Sequence, residues 1–261
     1  ALASKRHGRL GLAAAVWAAG FLLPVAGLVP LAGVLLAERY LYLPSVAASL
    51  VVGYVCVDLP LAARAKLALR LAGVALALVA LVATLARLPV WADDSALYQS
   101  MVRDSPGSAL GRFNLANLYL EEGRLPDALR LYSEAVRLDP EYVRALTNRA
   151  GVLSLLGRHR EAVADAERAI ALDPGHANAH HQLGKALGGL SHWHRAAAAL
   201  GRAVELRPDD VGARLNLAIA LANTGRTREA ERTLREILRE HPDEPHARAM
   251  LARLRAAAET G

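Results

Sequence analysis

The apolar positions of this chain follow two different rules. Up to about residue 90 they run almost without interruption, in three windows: Leu10 to Leu23 with a weaker extension to Val29, Val46 to Val57, and Leu67 to Ala86. Short charged patches separate these windows. Beyond residue 90, apolar residues return every three or four positions with charged residues between them, the period of helices that bury one face. Windows of roughly 17 to 25 apolar residues suit a bilayer, and the shorter middle window reaches that length by taking in Leu41, Leu43 and Leu59. The pattern predicts an all-α chain: three transmembrane helices near 10–29, 43–59 and 67–86 in a membrane region 1–90, then a helical domain over 91–261. A secretory signal is the competing reading of the first window. No small-residue cleavage site followed by a polar start is present, and two more windows follow.

The helical domain repeats itself. Pro140, Pro174 and Pro208 are 34 residues apart, and Pro242 continues the step. Ala128, Ala162, Ala196 and Ala230 keep the same interval, as do Ala116, Ala150, Gly184 and Ala218. Turn residues recur at Gly123, Gly157, Ser191 and Gly225. Small residues where two helix axes approach, a turn between them and Pro after the second helix make a pattern that resembles the tetratricopeptide repeat. The expected fold is an α-solenoid of four full units, 109–142, 143–176, 177–210 and 211–244, with a half unit at 93–106 and a capping helix at 245–259. Tyr119 and Tyr132 are expected to pack between helices.

Charge orients the membrane region. Lys5, Arg6 and Arg9 precede the first window, and Arg64, Lys66 and Arg70 lie between the second and third, whereas the intervening loop carries Glu38 and Arg39, which cancel. Basic loops stay on the cytoplasmic side. The repeats are thereby expected on the outer side, periplasmic or lumenal, of an integral membrane protein, with Trp91 at the interface and Asp93 and Asp94 beyond it. The chain opens at Ala1 and is basic at once, which reads as a loop and predicts a piece of a longer protein. The net charge of +6 comes without a basic stripe interleaved with aromatics, so nucleic acid is not an expected partner. Cys56 is the only cysteine and forms no internal disulfide.

Candidate chemistry in the repeats is sparse. Six of the nine histidines fall between His159 and His194, and His176 and His180 stand four apart, a spacing that can place two ligands on one helix face. A unit boundary interrupts the run and no acid or cysteine joins it, so no metal is expected. Gly-rich phosphate loops and nucleophile motifs are lacking too, and the repeats read as a binder with no catalytic residue assigned. Asn114, Asn148, Gln182 and Asn216 occupy one position of successive units. Such a row of carboxamides either bonds the backbone of an extended peptide or ties helix to helix. It resembles the asparagine ladder of O-linked N-acetylglucosamine transferase, with Gln182 as the departure. Asn117 and Asn148 match two positions of a chaperone-binding carboxylate clamp, but Phe113, Asn178 and Gln182 stand where its basic residues belong.

The stretch Ala37 to Ser45, AERYLYLPS, together with the aromatic and acids after the third window and the repeats that follow, resembles the transmembrane and tetratricopeptide repeat-containing O-mannosyltransferases and their bacterial relatives. The resemblance implies the C-terminal part of a glycosyltransferase that uses a sugar on a polyprenyl phosphate, with repeats that present acceptor protein. The chain itself is expected to need no cofactor and to be noncatalytic. Within that frame Arg39 becomes a candidate lipid-phosphate contact, with Tyr40 and Tyr42 at headgroup level. The plainer reading is that Glu38 neutralises Arg39 and the tyrosines are interfacial anchors. Two rivals remain open: a noncatalytic membrane-anchored scaffold for envelope assembly, and a surface-polysaccharide ligase or polymerase.

Overall fold

The computed structural model describes residues 93–260, together with Ala63, Arg64, Leu67, Leu71 and Val90. Val90 to Gly261 is a compact unit distinct from Ala1 to Pro89. Ala63, Arg64, Leu67 and Leu71 are helical. Apart from Leu67 and Leu71 in the third, the three expected spans lie outside the described residues, as do Arg39, Tyr40 and Tyr42. No helix among the described residues is long and apolar enough to cross a membrane.

From residue 93 onward the described residues form ten helices and no strand: α1 (Asp94–Asp104), α2 (Ala109–Glu121), α3 (Leu125–Leu138), α4 (Val143–Leu155), α5 (His159–Leu172), α6 (Ala177–Gly189), α7 (Trp193–Leu206), α8 (Val211–Asn223), α9 (Thr227–Glu240) and α10 (Pro245–Thr260). Each 34-residue unit is a hairpin of two helices, α2 with α3, α4 with α5, α6 with α7 and α8 with α9. The second helices bury a single stripe. In α3 it runs Ala128, Leu131, Tyr132, Ala135 and Val136, and in α9 Ala230, Leu234 and Ile237. Alanines line the seam within each hairpin because the axes approach too closely for larger side chains, and Ala116, Ala128, Ala150, Ala162, Ala218 and Ala230 are all fully buried. In the third unit the seam is tighter still, and a methyl group added at Gly184 would overlap Leu200.

The turn between paired helices is a left-handed cap. In the first unit Gly123 has φ of +74°, its N–H donates to Leu120 O at 3.0 Å, and Arg124 N donates to Tyr119 O at 2.8 Å, satisfying two carbonyls that the helix end leaves open. The third unit makes the same two bonds, Ser191 N to Gly188 O and His192 N to Leu187 O, both 2.9 Å, but with Ser191 at φ +59° in glycine's place. Second helices end two residues before each proline, and the residue between, such as Asp139, has the extended backbone that suits a position before Pro.

Consecutive units meet mainly where the second helix of one packs on the first helix of the next, with first helices touching as well. α4 packs on α6, α6 on α8 and α8 on α10, and each second helix packs on the first helix of the next unit. Second helices touch one another only sparsely, as where Arg195 on α7 pairs with Glu167 on α5 at 3.0 Å. The first helices therefore crowd the inside of the curve, and the second helices form its outer layer.

Candidate peptide-binding face

The inner helices α2, α4, α6 and α8 set the chemistry of the inner face. They carry five cations, Arg112, Arg144, Arg149, Lys185 and Arg214, against one carboxylate, Glu121, while the outer helices α3, α5, α7 and α9 hold ten carboxylates. Three of the cations are tied down inside their own hairpin. Arg112 Nε donates to Glu134 at 2.9 Å, Arg149 grips Asp165 through two bonds of 2.6 Å, and Arg214 Nη1 donates to Glu240 at 2.5 Å. Burial works against the Glu134 carboxylate, but hydrogen bonds from Arg112 and Arg130 outweigh it and hold its pKa below the usual range. Arg144 lies over the Phe113 ring, 4.8 Å from its centre, and Lys185 has no acid within ion-pair distance among the described residues.

The four carboxamides of the row do different things. Asn148 on α4 donates through Nδ2 to Asn117 Oδ1 on α2 at 2.9 Å, and the same oxygen accepts from the Tyr132 hydroxyl at 2.5 Å. Burial pushes the Tyr132 phenol up to about 12 against the hydrogen bond from Asn148, so it stays a donor. The next junction lacks that arrangement because Gly151 stands where the first unit has Asn117. The longer Gln182 fills the space, and its buried Oε1 finds no partner among the described residues. Asn216 meets a histidine instead: its Nδ2 donates to His181 Nε2 at 2.8 Å, and His181 Nδ1 faces Asp210 at 3.5 Å. The Asn114 side chain, half-buried on α2, makes no hydrogen bond among the described residues.

His176 and His180 do not converge. His176 sits 3.7 Å from Asp173, and His180 Nε2 lies 3.0 Å from Pro174 O. Among the described residues no three His, Cys, Asp or Glu side chains are grouped to hold a metal.

Two features lay outside the sequence reading. Residues at the fourth position of a unit reach back to the proline carbonyl of the unit before, Arg112 to Pro106 O at 2.6 Å, His180 to Pro174 O and Arg248 to Pro242 O at 2.7 Å. The signal was legible as polar residues recurring 34 or 68 apart on otherwise apolar helices. The other feature is a cavity of about 380 Å³ beside the C-terminal half of α6, with walls from Leu155, Lys185, Gly188, Trp193, Asn216 and Ile219.

Two tetratricopeptide-repeat family models match the chain, over residues 113–177 and 191–254. The helices from α1 to α10 are a tetratricopeptide-repeat array. Among solved structures, the array resembles YrrB, described as a tetratricopeptide-repeat protein with an unusual peptide-binding site. The two are 26% identical, with a TM-score of 0.52 covering 62% of this chain and 84% of that one. A thermophilic protein of this class from Thermus thermophilus shares the fold at 22% identity, TM-score 0.53, over 61% of this chain and 88% of that one. In sequence, 107 residues are 36% identical to the protein O-mannosyl-transferase Tmtc2 of Drosophila melanogaster. That match covers 41% of this chain and 11% of the fly protein.

Proposed function

We propose that the repeat array binds an extended segment of another protein along α2, α4, α6 and α8, and that it serves a membrane glycosyltransferase by presenting the acceptor. The observation that carries this reading is the 36% identity to a protein O-mannosyl-transferase. The inner face supports it, because Asn114 and the cations Arg144 and Lys185 have hydrogen-bonding capacity that the described array leaves unused. The donor in this reading is a sugar on a polyprenyl phosphate, its phosphate held by Arg39 with Tyr40 and Tyr42 at headgroup level. The chain sits in the membrane with its repeats outside. Leu67 and Leu71 favour the anchor: both helical, they are 58% and 61% exposed, as lipid-facing leucines would be.

The scaffold reading keeps a foothold in the shortness of the match, whose 107 residues are fewer than the repeats themselves. One experiment separates the two. Membranes holding the full reading frame are incubated with radiolabelled sugar on polyprenyl phosphate, and label is followed into protein. Incorporation that falls at least tenfold in Arg39→Ala is expected; no incorporation at all leaves the scaffold. For peptide binding, Asn114→Ala is expected to weaken capture of an unfolded peptide by the detergent-purified chain severalfold, read by fluorescence anisotropy.

A further inference from the structure

The cavity beside α6 lies where the third unit departs from its neighbours. At its twelfth and thirteenth positions the other units place Leu120 and Glu121, Ser154 and Leu155, and Ala222 and Asn223, whereas this unit has Gly188 and Gly189. With no side chains there, the α6 backbone comes up against two rings: a methyl group at Gly188 would stand 3.2 Å from Trp193, and one at Gly189 would overlap His159. The space left is about 380 Å³, within the range of roughly 300 to 1,000 Å³ of small-ligand sites. Its walls are mostly apolar, from Leu155, Trp193, Leu200 and Ile219, and two of them, Leu155 at 60% and Ile219 at 38%, remain exposed at the surface.

One charged group shares this wall. Lys185 projects from α6 as the only lysine of the array, with no acid in ion-pair distance among the described residues. An ammonium beside a low-dielectric apolar wall attracts a carboxylate more strongly than one in open water. α4, α6 and α8 bear no acid of their own, so nothing on those helices competes for it.

We infer that this cavity is a side-chain subsite for an acidic peptide: it takes one bulky apolar side chain, and Lys185 pairs with a carboxylate next to that residue. The inference rests on the inner face being a peptide groove. It adds the sequence preference, a large apolar residue flanked by Asp or Glu, at the third unit.

The test uses the detergent-purified full chain and three fluorescein-labelled peptides of Ser and Glu. One has a central Phe, one has that Phe replaced by Ala, and one keeps Phe with every Glu replaced by Gln. The Phe-Glu peptide is expected to bind at least tenfold tighter than either of the others. Lys185→Glu is expected to abolish its advantage over the Gln peptide, and Ile219→Trp, at the exposed rim, its advantage over the Ala peptide. Both variants are checked for unchanged helix content and melting. If all three peptides bind equally and Asn114→Ala weakens all of them, the subsite is refuted and the groove stands. If none binds the unaltered chain, the groove reading fails and the subsite with it.

Discussion

Ser191 shows how a single residue departs from its repeat without altering the turn. It adopts the left-handed backbone that Gly123, Gly157 and Gly225 adopt in the other units, and it makes the same two capping bonds. For a residue with a Cβ that conformation costs roughly 1–2 kcal/mol, while glycine gives part of it back in the unfolded chain. Ser191→Gly is therefore expected to stabilise the array by about 0.5–1 kcal/mol, measured by denaturant unfolding followed by circular dichroism. The sequence exposes this position because glycine recurs every 34 residues except there. It does not expose how the carboxamides are used. Asn148 and Asn216 look alike along the chain, yet their bonds depend on the residue that faces them from another helix, Asn117 in one case and His181 in the other.

At the scale of the element, the α6–α7 hairpin is built to a closer fit than the rest. Three units tolerate Ala at the seam position, and the usual expectation is that Gly→Ala in a helix stabilises by up to about 1 kcal/mol. At Gly184 the sign reverses, since the added methyl collides with Leu200 in a packed seam. Gly184→Ala is expected to destabilise the array by about 1–3 kcal/mol, the range for overpacked cores, measured by the shift of the urea midpoint at constant slope. The helix pairing itself was open to sequence reasoning, because small residues and prolines keep strict register. The cavity was not. It lies beside two residues without side chains, Gly188 and Gly189, against which the Trp193 and His159 rings of other helices pack, and a sequence shows the glycines but not what meets them.

For the array as a whole, pH acts through histidines before it acts through acids. Burial lowers the pKa of His181 from its ordinary 6.5, with Asp210 opposing, and burial lowers His176 in the same way, with Asp173 opposing. A lowered pKa means that the native state prefers the neutral ring. The stability contributed is complete above pH 6.5 and is lost as pH falls through the folded values. Arginine hydrogen bonds lower Glu161, Glu229 and Glu240 below 4.5, against a smaller opposing effect of burial, and these contributions fail only in more acid solution. Calorimetric melting temperature is expected to decline between pH 7 and 5, ahead of a second, carboxylate-driven decline below 4.5. Replacing His181 with Gln should flatten the first step. Residues 93–261 hold 23 basic and 23 acidic side chains, so the net charge of +6 belongs entirely to the preceding residues and the array gains no long-range repulsion of its own near neutrality.

Contact between units runs mainly from each second helix to the first helix of the next, with only sparse contact between second helices such as the Arg195–Glu167 pair, and this has a mechanical side as well. The inner helices act as a hinge line, and the second helices can fan apart or close with few direct bonds between them to break. Curvature is then the array's softest coordinate, and a long guest laid along the hinge line would stiffen it as a splint does. A bound segment should change the elasticity of the solenoid more than its average shape.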